Sequence, residues 1–105
     1  MAYPRLVTKL TKENLWLYIL KMLMERPMYA YEISKDMNER FGFSTATVTV
    51  YVVLYKMQHE GFIQIGQEKS VTGRPDRKYY EITENGREAF LKGKKFLEDV
   101  IKKLA

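Results

Sequence analysis

The sequence of 105 residues predicts an α+β fold, in which three helices are followed by a β-hairpin and a last helix. Apolar residues recur at helical spacing near both ends of the chain, which predicts the outer helices. Between them, the runs FIQIGQE and RKYYEIT have strand composition and enclose the polar loop KSVTGRPD, whose Gly and Pro are typical of a turn. A chain of this length forms one domain, so a single fold has to carry the function.

The first helix is predicted to start after Thr11, whose hydroxyl is a capping group, and to run through LWLYILKMLMER up to Pro27. It is apolar on more than one side, with Leu15, Ile19, Leu20 and Leu23 in one stripe and Trp16, Tyr18 and Met22 beyond it. A small monomer would not normally expose so much apolar surface. We therefore expect a partner helix to cover part of it.

The second helix is predicted from about Tyr29 to Arg40, with Gly42 closing it. The segment TATVTVYVVLY that follows is ambiguous, because its residue types favour strands and alternate as in a half-buried strand. The helix-forming residues KMQHE and then Gly61 come next, and they favour a helix.

A third helix, capped by Ser44 or Thr45, also has coherent faces. Its inner face would hold Ala46, Val50, Val53, Leu54 and Met57, and its outer face Thr45, Val48, Val52, Tyr55 and His59. We therefore predict that the segment is helical.

The last helix is predicted to begin at Thr83 to Gly86. In it Phe90, Leu97 and Leu104 recur every seven residues, with Gly93, Val100 and Ile101 between them. This stripe persists to the last turn, past the reach of so small a core, and so predicts dimerisation. The alternative is a helix that packs only on its own domain.

Composition narrows the function classes. The net charge of +5 and the pI near 9.4 favour a polyanionic partner, although an acidic protein or an anionic membrane surface would also suit them. The chain has no cysteine, one histidine (His59) and no Gly-rich phosphate loop, so we expect no enzyme activity, metal or cofactor. It lacks a secretory signal and its apolar run LWLYIL is too short to span a bilayer, so we expect a cytoplasmic protein without membrane contact.

Four segments carry a resemblance to a known family: ILKMLMERPMYAYEI, STATVTVYVVLYKMQHEGFI, GRPDRKYYEIT and ENGREAF. Together they resemble the winged-helix transcriptional regulators of the PadR family from about Leu15 to Phe90, and the third segment is the most specific. The chain departs from the family pattern in a few places: Ala30 and Val48 replace glycines, Val52 replaces a proline, Gln58 replaces a glutamate, and Asp76 is an extra residue.

The resemblance implies a winged helix-turn-helix in residues 1–83 and a C-terminal dimerisation helix in residues 84–105, which form one structural unit. It implies a homodimeric repressor that reads the major groove of double-stranded DNA with helix 45–58 and the minor groove with the wing 66–78. The expected DNA-binding residues are Lys35, Ser44, Thr45, Val48, Thr49, Tyr51, Val52, Lys56, Lys69, Arg74, Arg77 and Lys78. The expected dimerisation residues are Leu15, Trp16, Phe90, Leu97, Val100, Ile101 and Leu104.

Several alternatives stay open. The first turns of helix 45–58 offer hydroxyl and methyl groups but no Arg, Asn or Gln, so direct readout would be weak or thymine-rich. The ring of Tyr51 could pack under the helix or aim its hydroxyl at a phosphate. The family resemblance also implies a small hydrophobic effector of unknown identity, which Trp16 and Tyr18 could contact. For these two residues, packing in the core or at the dimer interface is the favoured role. An alternative is that the winged helix is a protein-interaction module that binds an acidic partner. A third alternative is that it binds RNA.

Overall fold

The structure, a computed structural model, describes residues 1–66 and 78–105. Five helices and two strands follow in the order α1 (Ala2–Leu10), α2 (Leu15–Leu23), α3 (Ala30–Phe41), α4 (Thr47–His59), β1 (Ile63–Ile65), β2 (Tyr80–Ile82) and α5 (Glu84–Leu104). A short 3-10 turn, Lys12–Asn14, joins α1 to α2. The predicted α+β fold is confirmed in α2 to α5, whereas α1 is an additional helix that the sequence patterns did not predict.

The core lies between α2, α3, α4 and the two strands. Its largest fully buried side chains are Ile19, Leu20, Met22, Met28, Ile33, Met37, Val50, Leu54 and Met57. The ambiguous segment is therefore a helix, α4, because Val50, Leu54 and Met57 recur at helical spacing against this core. Burial of these side chains outweighs the strand propensity of the segment, a local preference of about 1 kcal/mol. Ala46, predicted on the inner face, is exposed just before the helix.

The hydroxyl caps predicted for α2 and α4 are wrong. Helix α2 begins after Asn14, because the 3-10 turn separates it from Thr11, whose hydroxyl donates to the Val7 carbonyl at 2.7 Å. Helix α4 begins after Ala46 without a side-chain cap. The hydroxyl of Ser44 instead donates to Asn38 Oδ1 at 3.2 Å, and the Thr45 carbonyl accepts a hydrogen bond from the Ser34 hydroxyl at 2.7 Å.

The two strands form an antiparallel hairpin in which Ile63 pairs with Ile82 and Ile65 with Tyr80. Met28, between α2 and α3, forms an isolated bridge with Tyr80 on the other side of β2. Tyr80 is buried and Tyr79 is half-buried, because successive side chains along a strand point to opposite faces. The hairpin is thus anchored to the helices through its second strand.

The first half of α5 is fixed to the body by Thr83 and Gly86. The Thr83 hydroxyl accepts from the Gly86 backbone N–H at 3.1 Å and donates to the Gly61 carbonyl at 2.6 Å. A Cβ atom added at Gly86 would lie only 2.2 Å from the Phe62 carbonyl oxygen, so a side chain cannot fit there. Further along the helix, a Cβ at Gly93 would lie 3.0 Å from Trp16. These two glycines let α5 approach the hairpin and α2 closely.

The apolar surplus predicted for α2 is covered within the same chain. Met22 is fully buried, and Trp16 packs against Gly93 of α5 and lies 6.3 Å from Phe62 between ring centroids. Tyr18 packs edge-on against Phe41 and Phe43, at centroid distances of 5.0 and 5.1 Å. For Trp16, the expected partner helix is therefore α5 of the same chain. Of the helices in the described ranges, none is both long and apolar enough to cross a membrane.

Candidate nucleic-acid interface

Helix α4 presents an outward face that residues 1–66 and 78–105 leave open. Val48 is 73% exposed and Val52 is 51% exposed, and both lie opposite the buried side of the helix. Tyr55 and His59 continue the same face toward the end of the helix, where their rings meet edge-on at a centroid distance of 4.5 Å. Thr49, beside Val48, is also exposed. The predicted outer face is confirmed for Val48, Val52, Tyr55 and His59, and its centre is apolar. The prediction is wrong for Thr45, which precedes the helix and is half-buried.

The turn between α3 and α4 fixes how α4 is presented. Gly42 ends α3 in the left-handed conformation, with φ of 76°, which favours glycine over residues that carry a Cβ. Phe43 then packs half-buried against Tyr18, and the Ser34 hydroxyl binds the Thr45 carbonyl. The start of α4 is thus held both by the core and by α3.

Three of the predicted basic residues are exposed: Lys35 on α3, Lys56 on α4 and Lys78 before β2. Within residues 1–66 and 78–105, none of the three has a carboxylate within 4.0 Å, whereas other cations of the same regions are paired. Arg40, for example, donates to both oxygens of Glu25 at 2.8 and 2.9 Å, and this hydrogen bonding lowers the pKa of Glu25. Within the described ranges, the three lysines are therefore not neutralised by a neighbouring carboxylate.

Residues Lys69, Arg74 and Arg77 of the predicted wing lie outside the described residues. The base of the wing is described: the Gly66 N–H donates to the Tyr79 carbonyl at 2.8 Å, just beyond the paired strands. Lys78 lies at this base, directly before Tyr79 in the chain. The predicted roles of the other three basic residues remain predictions from the sequence.

A cavity of about 280 Å³ lies between α3 and the turn before α4. Its lining includes the predicted residues Lys35, Ser44 and Thr45, together with two that the sequence reading missed, Tyr31 and Asn38. Tyr31 lies one turn before Lys35 on α3 and is 58% exposed. Helical spacing from Lys35 was the signal that could have identified it.

Tyr51 is 54% exposed, which excludes the interpretation in which its ring packs under α4. It lies on the side of the helix that faces the hairpin. Burial raises the pKa of Tyr80, and the nearby Tyr51 raises it further.

The described part of the chain offers little for catalysis by a metal. In residues 1–66 and 78–105, there is no group of three or more His, Asp or Glu side chains that could hold a metal ion. His59, the one histidine of the sequence, is exposed and packs against Tyr55.

Comparison with known proteins identifies the family. The family model described as the transcriptional regulator PadR-like family matches residues 19–92, more than two thirds of the chain. The chain belongs to the PadR-like family of transcriptional regulators. The match covers α3, α4, both strands and most of α2, so it includes the whole of the candidate interface in the described residues.

Solved structures of PadR-like regulators share the fold of this chain. A PadR-like transcriptional regulator from Bacillus cereus is 32% identical, with a TM-score of 0.74, and the match covers 89% of each chain. A PadR family transcription regulator from Clostridium difficile is 26% identical, with a TM-score of 0.70 and coverage of 85% of this chain and 95% of that one. Bacillus subtilis PadR, solved in complex with operator DNA, is 26% identical, with a TM-score of 0.65 over 74% of this chain and 44% of that chain.

The residues predicted for dimerisation of this PadR-like chain divide into three groups by exposure. Leu15 is only 2% exposed and belongs to the core, so the prediction that it faces a partner is wrong for this residue. Trp16, Phe90, Leu97 and Val100 are half-buried, whereas Ile101 and Leu104 are 68% and 81% exposed. Periodicity identified the stripe but not which part of it packs on α2.

Further exposed apolar residues were missed. Phe96 on α5 is 68% exposed, and Tyr3, Leu6, Val7 and Leu10 are exposed on α1. A groove of about 190 Å³ lies between α2 and α5, lined in part by Leu10, Trp16 and Phe96. This volume is below the usual range of small-molecule sites, roughly 300 to 1,000 Å³. A hydrophobic effector at Trp16 and Tyr18 therefore stays a prediction from the family resemblance.

Proposed function

We propose that this PadR-like transcriptional regulator is a homodimeric repressor that binds double-stranded DNA in a sequence-specific way. The observation that carries the proposal is the open outward face of α4. A helix that follows a tight turn in a helix-turn-helix lies in the major groove, with its first residues nearest the base edges. In this chain those positions are Val48, Thr49 and Val52, all of them exposed.

Electrostatics support the same orientation. Lys35, Lys56 and Lys78 are exposed around the α4 face, and Ser44 and Tyr51 add hydroxyl groups at its edges. Phosphate contacts of this kind fix the orientation of a protein on the duplex, while base contacts supply the sequence preference. In the proposed complex the lysines bind phosphates and α4 contacts the bases.

The wing, residues 66–78, is the second proposed contact. Its sequence contains Lys69, Arg74 and Arg77, and an arginine at the tip of a hairpin is well suited to a narrow minor groove. Because strand β2 is bonded to both β1 and Met28, the base of the wing is fixed to the same body that carries α4. The wing and α4 would therefore engage neighbouring grooves as one unit.

Dimerisation is proposed through α1 and the end of α5. Every residue of α1 is exposed, and an isolated helix of nine residues is marginally stable in water. Its apolar residues and those of α5, including Phe96, Ile101 and Leu104, would be covered by a second copy of the chain. A two-fold symmetric pair would place two α4 helices on successive major grooves, about 34 Å apart. Repression would follow from occupancy of such an operator.

Selection from a pool of random DNA duplexes tests the proposed function. We expect enrichment of an inverted repeat whose half-site centres are separated by one helical turn, about 34 Å. Enrichment of a single half-site would contradict the dimeric arrangement. A pool that shows no enrichment, with no retention of duplex DNA at low salt, would overturn DNA binding and favour an acidic protein partner.

A further inference from the structure

The outward face of α4 has an unusual centre for a surface exposed to solvent. Val48 and Val52, here called the valine pair, are 73% and 51% exposed and lie one helical turn apart. Residues at this spacing lie on the same side of a helix, with Cβ atoms about 5 to 6 Å apart. The pair therefore forms a small apolar ridge in the first two turns of α4.

The chemistry of the major groove limits what such a ridge could contact favourably. Each base edge presents hydrogen-bond donors or acceptors, and thymine alone adds an apolar group, its C5 methyl. A valine side chain offers no hydrogen bond in return. If the valine pair covered the edge of a G·C pair, donors or acceptors would lose water without gaining a partner, which is unfavourable. The pair therefore discriminates by attraction to methyl groups and by rejection of more polar edges.

Charge around the ridge favours DNA as its occupant over an apolar protein surface. Lys56 lies two turns after Val48 on α4, and Lys35 lies on the adjoining α3, both exposed. Thr49, beside the pair, adds a hydroxyl that could bond to a base or a phosphate. In the major groove, the two valines would contact thymine methyl groups, while the neighbouring lysines would face the phosphate backbones on either side of the groove.

We propose that the valine pair contacts the C5 methyl groups of two thymines in each half-site, and that these apolar contacts set the base preference of α4. This inference rests on the proposed DNA-binding function. Successive base pairs are about 3.4 Å apart along the duplex axis, so the two thymines lie one or two base-pair steps apart. Both thymines lie in the part of the operator that faces the first two turns of α4.

Deoxyuridine supplies a direct probe, because it pairs like thymidine and lacks only the C5 methyl group. In a duplex selected by the wild-type protein, each thymidine is replaced singly by deoxyuridine and the Kd is measured by fluorescence anisotropy. Replacement at either contacted thymine should raise the Kd about fourfold, the effect of exposing one buried methyl group. Replacement of a thymidine in the flanking sequence, outside the half-sites, is the matched DNA control and should leave Kd unchanged.

Protein variants identify which side chain makes each contact. In V48A and in V52A, one of the two deoxyuridine replacements should no longer change the Kd, because the methyl contact is already lost in the variant. L91A removes an apolar side chain of similar exposure, 57%, from α5 and should keep the full deoxyuridine effect. Circular dichroism and thermal unfolding confirm that all three variants are folded.

The outcomes separate the inference from the function on which it rests. A deoxyuridine effect at two half-site thymines, abolished by the matching valine variants, supports the proposal. Tight duplex binding without any effect of deoxyuridine, or with an effect that persists in both V48A and V52A, would overturn it and leave DNA binding intact. Failure to bind duplex DNA at low salt would instead overturn the proposed function.

Discussion

The hydroxyl of Tyr18 on α2 donates a hydrogen bond to the backbone carbonyl of Leu10, the last residue of α1. Asn14 donates similarly to the Lys9 carbonyl, so two side chains bind the carbonyls at the end of α1. The ring of Tyr18 also packs on Phe41 and Phe43, which flank the turn before α4. One side chain thus joins α1, part of the proposed dimer surface, to the helix-turn-helix.

The variant Y18F should loosen α1 and leave the core intact. It keeps the ring contacts and removes one hydrogen bond, whose net contribution is typically about 0.5 to 1.5 kcal/mol. Amide hydrogen exchange should therefore accelerate in α1 and stay unchanged in α2 to α4. Y3F is the matched control, since Tyr3 is 74% exposed on the same helix. Equal exchange in Y18F and wild type would show that the hydroxyl does not fix α1.

Stability should fall at alkaline pH because of Tyr18 and Tyr80. Burial raises the pKa of both phenols above the ordinary value of 10.0. The folded state then holds these protons more strongly than the unfolded chain, so their contribution is complete below pH 10.0 and is lost as pH rises through the folded pKa values. Urea unfolding at about pH 8 and about pH 11 should show a smaller loss of stability in Y18F than in wild type. An identical loss would exclude Tyr18 as a source of the pH dependence.

The two glycines of α5 should differ sharply in their tolerance of alanine. At Gly86 the new Cβ would meet the Phe62 carbonyl oxygen at 2.2 Å, so G86A must displace backbone and should destabilise the protein by more than about 2 kcal/mol. At Gly93 the nearest atoms belong to the side chains of Trp16 and Leu17, at 3.0 and 3.1 Å, which can shift. The gain in helix propensity, about 0.5 to 1 kcal/mol, should leave G93A close to wild type. Urea unfolding of both variants should show that G86A is less stable than G93A. Equal stabilities of the two variants would contradict this prediction.

Much of the secondary structure can be predicted from local sequence patterns, but the contacts between residues far apart in sequence cannot. Val50, Leu54 and Met57 recur at helical spacing, but α4 was identified as a helix only with the help of the helix-forming residues KMQHE that follow. Helix α1 was missed because it buries nothing in its own protomer. The packing of Trp16 on Gly93 joins residues far apart in sequence, so periodicity assigned Trp16 to a dimer surface without showing that α5 partly covers it.

The part of the candidate interface on α4 could be predicted from helical periodicity, whereas the part on α3 depends on tertiary packing. The outer face of α4 follows from the position of the inner one, so Val48 and Val52 could be placed from the sequence. Asn38 belongs to α3 and reaches the interface only through the way α3 packs beside the turn. That packing angle depends on the core as a whole, and no local pattern specifies it.

The double variant I101K/L104K should be monomeric. These side chains are 68% and 81% exposed, so lysine at both positions should leave the protomer folded while charging the proposed dimer surface. Sedimentation at micromolar concentration should show a dimer for wild type and a monomer for the variant. L91K, at another exposed position on α5, adds one charge instead of two and serves as a comparison. A monomeric wild type, or a double variant that remains dimeric, would contradict dimerisation through the end of α5.

The variant R74A should weaken binding to all duplex sequences alike and lower the magnitude of the salt slope by about one per protomer. This prediction rests on the sequence, in which Arg74 lies between Gly73 and Pro75 in the wing. T49A is an informative contrast, because threonine carries no charge and its loss should alter base preference more than the slope. An unchanged affinity and slope in folded R74A would remove the wing arginine from the mechanism.

The salt dependence of duplex binding by the wild-type protein tests the central claim most directly. Lys35, Lys56 and Lys78 of two protomers would neutralise six phosphates, which predicts a linear decline of log K with log salt concentration and a slope of about −5 or steeper when the wing contributes. The Kd for the selected duplex should therefore rise steeply as potassium chloride increases. A slope near zero, or no binding to duplex DNA even at the lowest salt concentration, would contradict the assignment of α4 and its surrounding lysines as a DNA-binding surface.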